Sequence, residues 1–590
     1  MRSPAPWIVG LVASTGVTSA AVVSPPRSHA FYNDFGYEKL AYGMHPFQAH
    51  RTLSTDVPKF NILQSSPQCS TNLYTFLAPR GKEVQVPQAT IFDSEGRLVW
   101  TSGYERQQLY DLKVQAYKGE QYLTFWSGDD TVGGHGAGTI HMLDKNYQEF
   151  KKIQAANGKD ADLHDFVITK DGTALITIYA RRDVDLNSVG KPFAGPVWDC
   201  YIQEINIETG EAIFEWSALD HLKISSAMIE IGPAGEDDIP WDWFHINSID
   251  KDAKGNYLVS SRFLQALVYI DGRSGDVIWI IGGKDNMFTD LSGGNATNFA
   301  YQHDARWADD DTTITMFDNA VDDYHLERAL TRGLKIRVDQ TAMTAQIVTE
   351  YMNPRKIIGK SQGSYQTLPN GHVLLGYGDS AAFTEYAADG TVLCDVHFGP
   401  EVRYTFSDVM SYRVHKYEWH GWPLTLPVSV LDQSEDREWK VYVSWNGATE
   451  IKDWVLEGAN ELTFVNKSGQ MYESTSWKKL TSETKIDYET AIALQYHYPA
   501  WLRVVALDAA GNVLGVGESL NGTAVGQPWR RNRPPIGEEQ DWMMRVLVYF
   551  CGALSLCMAG YMLKSIWRSS GGHSHLRRRM LSLRRSQAWI

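Results

Sequence analysis

Cysteine is scarce in this chain, with five in 590 residues. Cys551 and Cys557 fall in an apolar run near the C-terminus. That leaves Cys69, Cys200 and Cys394 in the body, an odd number without metal-ligand spacing. At least one thiol therefore stays free, no metal is called for, and a Cys69–Cys200 bridge is compatible with the count without being singled out by it. Bases are outnumbered by acids, 55 to 70, for a net charge of −15. Lys564, Arg568, Arg577, Arg578, Arg579, Arg584 and Arg585 crowd into the tail with no acid among them, so the rest of the chain is more acidic still. A body without a basic stripe is a poor partner for nucleic acid, and an anionic substrate would need Arg or His placed locally. Several familiar chemistries are missing: no Gly-rich loop leading into a helix, no Gly-x-Ser-x-Gly elbow and no His-Glu-x-x-His. Val132-Gly-Gly-His-Gly-Ala-Gly138 has no helix after it and reads as a turn. Asp309-Asp310-Asp311 lacks the alternating ligands of a calcium loop and reads as a solvated turn.

Long apolar runs are nearly absent too; the clear one is Val546 to Leu563, long enough to cross a bilayer once. Acids flank it on the N-terminal side and the basic tail follows. The positive-inside rule then places the tail in the cytosol and the body in the lumen or outside, as in a single-pass type I protein of the secretory pathway or cell surface. Residues 1–21 read as a signal peptide, with Arg2, an apolar stretch from Trp7 to Val17 and small residues at Thr18-Ser19-Ala20-Ala21. Three sequons, at Asn295, Asn466 and Asn521, fall on the expected lumenal side as glycosylation candidates.

What the chain has in quantity is glycine (49), tryptophan (20) and other aromatics, 12% in all, which favours a turn-rich β protein. Turn signals recur: Glu95-Gly96, Asp171-Gly172, Thr209-Gly210, Lys254-Gly255, Ser274-Gly275, Asn370-Gly371 and Asp389-Gly390. They separate strand-like runs that resemble one another, such as Ala212 to Trp216 and Asp276 to Trp279. Paired hairpins at a period of about 50 residues predict propeller blades, with tandem β-sandwiches as the alternative. The expected class is all-β: an N-terminal segment at 22–84, a β-propeller of about six blades at 85–420, an immunoglobulin-like β-sandwich at 421–525, a linker at 526–545, one C-terminal transmembrane helix at 546–563 and a basic cytosolic tail at 564–590.

Three histidines sit in short aromatic or acidic clusters roughly 60 to 80 residues apart: Asp162-Leu163-His164-Asp165-Phe166, Trp243-Phe244-His245-Ile246-Asn247 and Tyr301-Gln302-His303-Asp304-Ala305-Arg306. That spacing suits delivery to one central point by successive blades. His245 and Asn247, two apart in a presumed strand, would share a face with Trp241 and Trp243. The hairpin partner ends in Arg262, whose fork matches the oxygens of sulfate or phosphate. An imidazole such as His303 can form a covalent intermediate with sulfur or phosphorus, and His164 can move protons. Asp304 and Arg306 would pair near His303 and alter its basicity. His135, His141, His325 and His397 lack such surroundings and read as structural or surface residues.

With these motifs in hand, the chain resembles the arylsulfotransferase (ASST-type) family in its fungal membrane-anchored form. The resemblance runs from about Phe47 to Leu507 and rests on the three histidine clusters together with Ser260-Ser-Arg262, Trp279-Ile-Ile-Gly-Gly283, Phe317-Asp-Asn319 and Ser411-Tyr-Arg413. It implies a six-bladed propeller that moves a sulfuryl group from a small aromatic sulfate donor to a phenolic acceptor, with no cofactor and without the nucleotide donor PAPS. By resemblance, His303 is the nucleophile that becomes sulfated, His164 and His245 handle protons, Asn247 and Arg262 hold sulfonate oxygens, and Trp241 and Trp243 stack on the aromatic ring. Bacterial members carry an extra β domain before the propeller, whereas here a sandwich follows it. Two other readings stay open: a non-catalytic membrane-anchored propeller that binds a ligand or protein, and a propeller lyase or cyclase acting on an aromatic natural product.

Overall fold

The computed structural model describes residues 29–524, apart from 104–106, 237, 309–310, 321–329, 468–469 and 495–496. The expected signal peptide, linker, membrane span and tail, and His325, lie outside the described residues. Among those described, no helix is long and apolar enough to cross a membrane.

The described residues are nearly all-β, in many sheets and with no closed barrel among them. Six sheets, each with an antiparallel core of four strands, carry the body. Sheet one runs from Gln108–Tyr117 to Glu149–Ile153, sheet two from Phe166–Ile168 to Ala212–Ser217, and sheet three from Ile246–Lys251 to Val277–Gly282. Sheet four runs from His303–Trp307 to Thr344–Tyr351 and sheet five from Ser364–Thr367 to Val392–His397. Sheet six joins Val414–Tyr417 to three strands from the other end of the chain, Tyr74–Leu77, Thr90–Phe92 and Leu98–Thr101. The first-named strands touch in a closed cycle, one to two, two to three, and so on to six and back to one. A tandem of sandwiches would not produce such a cycle.

The turn glycines at 96, 172, 210, 255, 275, 371 and 390 all take positive φ, the conformation a tight hairpin needs and other residues resist. Trp216 and Trp279, which occur in the two similar runs, pack between sheets. Trp216 of sheet two, for example, donates its indole N–H to Gly275 O in a turn of sheet three at 3.0 Å.

The segment 22–84 does more than lead into the ring. Besides Tyr74–Leu77, it contributes Phe60–Ser65 and Ala30–Tyr32, which extend sheet five at its outer edge. Cys69 is bonded to Cys394 of sheet five rather than to Cys200. Cys200 is a free, fully buried thiol in the apolar layer between sheets two and three, and burial pushes it well above its ordinary range. Beyond the ring, two further sheets face each other. Val441, Val443 and Ile492 from one meet Trp454, Leu456, Leu502, Val504 and Ala506 from the other. The alternation of inward residues is that of a two-layer sandwich.

Candidate functional site

Side chains from non-adjacent sheets meet one another, which only the middle of a ring allows. Arg413 of sheet six reaches Asp165 of sheet two at 2.7 Å and the carbonyl of Asn247 in sheet three at 3.1 Å. His164, His245 and His303 arrive there from three successive sheets, each at or just before the start of the first strand. The rings of His164 and His245 lie 5.0 Å apart, edge to face. Tyr412, just ahead of Val414–Tyr417, is edge-on to His164 at 5.7 Å and to His303 at 6.2 Å. All four are buried, at 2% to 5% exposure.

The inner strands are bent to do this. Register shifts fall between Tyr110 and Lys113, Ile246 and Ser248, and His303 and Arg306. Beside them, Asp111, His245 and Asp304 take φ of 57°, 54° and 54°. Bulges of this kind re-aim side chains, and they cluster near working sites.

Each imidazole is held by its Nδ1. His164 Nδ1 is 2.5 Å from Asp162 Oδ2, and His245 Nδ1 is 2.5 Å from Asp242 Oδ2. His303 Nδ1 is 2.8 Å from Asn319 Oδ1. The Asn319 amide has no freedom to turn over, since its Nδ2 donates to Gly359 O at 2.8 Å and Gln362 O at 3.0 Å. Its oxygen must therefore face His303, which fixes the proton on Nδ1 and the lone pair on Nε2. That lone pair accepts the Gln362 N–H at 3.2 Å. Among the described residues, Nε2 of His164 and of His245 has no hydrogen-bond partner.

Burial, helped by the nearby Arg262 charge, holds His303 well below its ordinary 6.5, against the opposing Asn319 bond. His245 is held down in the same way by burial, then by His164 and Arg262. Both rings are neutral at pH 7. Burial alone would raise Asp162; the His164 imidazole against it brings its carboxyl below the ordinary 3.8. Asp242 is pushed up to about 6 by burial, with His135, His164 and Arg262 opposing. The sign follows: above pH 6 the carboxylate is ionised and holds the His245 proton on Nδ1, and below it that hold is lost. Activity is expected to rise through a midpoint near pH 6 in the native protein, and this limb is expected to vanish in Asp242→Asn. A pH–kcat/KM profile in which the limb survives the substitution would rule the assignment out.

Arg262 follows the strand Tyr257–Ser261 and lies over the rings of Tyr301 (4.2 Å) and Phe263 (4.9 Å). No carboxylate pairs with it among the described residues, and its Nε is buried without a partner. A stacked, unpaired guanidinium beside neutral imidazoles is a seat for an anion.

Next to this layer lies one of fully paired charges. Along the inner strands Tyr110, His164, His303 and Tyr412 are each followed by a charged residue: Asp111, Asp165, Asp304 and Arg413. Asp165 Oδ1 accepts from Arg413 (2.7 Å) and Lys113 (3.3 Å), and its carboxylate also bonds Arg306. Arg306 Nε donates to Asp304 Oδ1 at 3.0 Å, and Lys113 bonds Asp111 at 2.7 Å. Asp304 and Arg306 do pair, as expected, but within a network that ties sheets one, two, four and six together.

Residues 113–399 match the arylsulfotransferase (ASST) family model. The matched stretch holds His164, His245, Arg262, His303 and Asn319; Asp111, Tyr412 and Arg413 lie outside it. No curated protein matches the chain. Among solved structures, a protein of unknown function from Bacteroides caccae is 15% identical, covering 58% of this chain and 98% of its own, with a TM-score of 0.34. A catalytically inactive virginiamycin B lyase from Staphylococcus aureus, solved with quinupristin, is 8% identical over 66% of this chain and 97% of its own, with a TM-score of 0.29. Neither likeness bears on the chemistry.

Several residues that the ASST resemblance implied have other surroundings here. Trp241 and Trp243, 3% and 0% exposed, pack in the apolar layer between sheets two and three, so they do not wall the imidazole cluster. The expected alternation fails because the strand Trp241–Asp242 pairs with sheet two, the chain turns at His245, and sheet three begins only at Ile246. The rings that do flank the imidazoles are Tyr179, Phe263 and Tyr412. Asn247 is central, yet its amide donates to Gln302 O at 2.7 Å and its free atom is the acceptor Oδ1, the wrong polarity for an anion.

His135 is a fourth imidazole beside the site. It stacks on Tyr179 at 4.3 Å, and its buried Nε2 has no partner among the described residues. The loop that carries it, read as a plain turn, passes so close that a Cβ on Gly134 would stand 3.5 Å from His245 Cε1. His141 and His397 are indeed structural, held by Glu149 and Glu38. Asn295, Asn466 and Asn521 are exposed.

Proposed function

We propose that the protein is a PAPS-independent aryl sulfotransferase built on a six-bladed β-propeller, with sulfohistidine at His303 as its intermediate. One observation carries the reading most: the Asn319 amide, itself locked by two carbonyls, leaves the His303 Nε2 lone pair as nucleophile beside a guanidinium that no carboxylate among the described residues pairs. The family match over 113–399 supports the reaction class.

In the first half-reaction the Nε2 lone pair attacks sulfur, the bond from sulfur to the phenolic oxygen breaks, and the phenolate leaves with that electron pair. His164, held at Nδ1 by Asp162, is the proton donor to it. The Gln362 N–H, freed from Nε2, then faces a sulfuryl oxygen, and Arg262 offsets the charge spread over the sulfuryl oxygens. In the second half an acceptor phenol gives its proton to a neutral imidazole and attacks sulfur. The N–S bond breaks and its pair returns to Nε2. The disulfide and the exposed sequons support passage through an oxidising secretory compartment, and we read the apolar run at 546–563 as its membrane anchor.

The reading is tested by exposing the protein to p-nitrophenyl sulfate without acceptor and weighing its peptides. One sulfuryl group is expected on the peptide bearing His303, discharged when a phenol is added. Nitrophenol release with no adduct across a range of donors, or no release at all, would refute it. Product formed from an aromatic compound with no sulfate ester present would favour a lyase or cyclase instead.

A further inference from the structure

The site holds one hydroxyl that none of the described residues satisfies. Tyr412 is 2% exposed, and its OH has no hydrogen-bond partner among the described residues. Leaving a buried polar group unpaired costs about 1–3 kcal/mol, so a fold with no use for the oxygen would do better with phenylalanine. Neighbouring phenols are spent: Tyr110 OH donates to Asp130 at 2.7 Å and Tyr179 OH to Ile246 O at 2.9 Å.

The position of the Tyr412 ring is fixed on three sides. Its ring lies T-shaped to those of His164 and His303, and Tyr110 packs beside it at 5.7 Å. Its carbonyl accepts the Gly363 N–H at 3.0 Å, next to the residue whose own N–H reaches His303 Nε2. A Cβ on Gly363, at φ 116°, would land 2.3 Å from a Phe317 ring carbon, so that segment has little room to shift. Burial pushes the phenol well above its ordinary 10, so it acts as a donor and never as a base.

We propose that the Tyr412 hydroxyl is a substrate-contacting donor that bonds a non-bridging sulfuryl oxygen as the group passes between the leaving phenol and His303 Nε2. This rests on the sulfuryl-transfer reading and adds to it a residue outside the matched stretch 113–399. The fold supplies the same device from the backbone at Gln362 and a cation at Arg262, so the three donors approach the group from sheets three, five and six.

Tyr412→Phe tests it in the full chain. The ring packing is kept and an unsatisfied hydroxyl removed, so the thermal midpoint is expected to stay or rise. The kcat/KM for p-nitrophenyl sulfate is expected to fall about 100-fold, the usual effect of deleting one donor to a developing oxyanion. Calorimetry with 4-nitrobenzenesulfonate, an inert ligand bearing the same three oxygens, is expected to show weaker binding to the variant. Native kinetics together with native sulfonate affinity would overturn the proposal, and so would a lowered midpoint with unchanged kinetics. If the native protein turns over no aryl sulfate, the sulfotransferase reading fails on its own. Weakened sulfonate binding by Tyr412→Phe would still support the donor, and equal binding would end it.

Discussion

His303→Ala is expected to cut nitrophenol release from p-nitrophenyl sulfate by about a thousandfold or more, because the attacking atom itself is gone. Neither neighbour is placed to replace it. His164 and His245 are each held through Nδ1 by a carboxylate, whereas His303 alone is held by a neutral amide, and its lone pair meets the Gln362 N–H. The variant should bind an aryl sulfonate, since Arg262 and Tyr412 remain, and it should yield no sulfurylated peptide. Its thermal midpoint should fall, since the Asn319 amide oxygen and the Gln362 N–H lose their buried partner, at about 1–3 kcal/mol each. Release at the native rate would remove His303 from the reaction, whatever its position.

Asp165→Asn is expected to be the most damaging single change to the fold. The carboxylate is fully buried and accepts from Arg306, Arg413 and Lys113, as well as from the Ile249 N–H at 2.9 Å. Burial would raise its pKa, but the charges of Arg306, Arg413 and Lys113 hold it well below the ordinary 3.8. Taking away that charge leaves buried cations short of a partner, at a cost of about 3–5 kcal/mol. The sign of the pH effect follows from the depressed carboxyl. Its contribution is present above pH about 4 and is lost only as pH falls further, toward the folded-state value. Thermal unfolding at pH 7 should show a clearly lower midpoint, and an unchanged one would mean the network is not a clasp.

Much of the ring was legible in the sequence because hairpins demand particular residues. The glycines marked as turns all take positive φ, and the three histidine clusters do open successive sheets. What could not be read is where pairing departs from regular alternation. Nothing in Trp241 to Asn247 announces the break at His245 that sends Trp241 and Trp243 into an apolar layer and leaves Asp242 to hold the imidazole. Asn319 lay inside a quoted motif without a role, because its meaning depends on two carbonyls some 40 residues away. One signal was available and unused: an aromatic or imidazole residue followed by a charge in Tyr110-Asp111, His164-Asp165, His303-Asp304 and Tyr412-Arg413. It marks the two layers at the centre. Cys394 could not have been matched to Cys69, since only tertiary pairing of Phe60–Ser65 with sheet five brings them together.

Sheet six is sewn from both ends of the chain, and this sets a timetable for synthesis. Tyr74–Leu77 leaves the ribosome more than 300 residues before its partner Val414–Tyr417, and until then its backbone edge and the cations' carboxylates wait without their final neighbour. The reactive centre therefore cannot form before Val414–Tyr417 has left the ribosome. A product expressed as residues 113–399 would lack Asp111 and Arg413 and should emerge as an open, aggregation-prone arc.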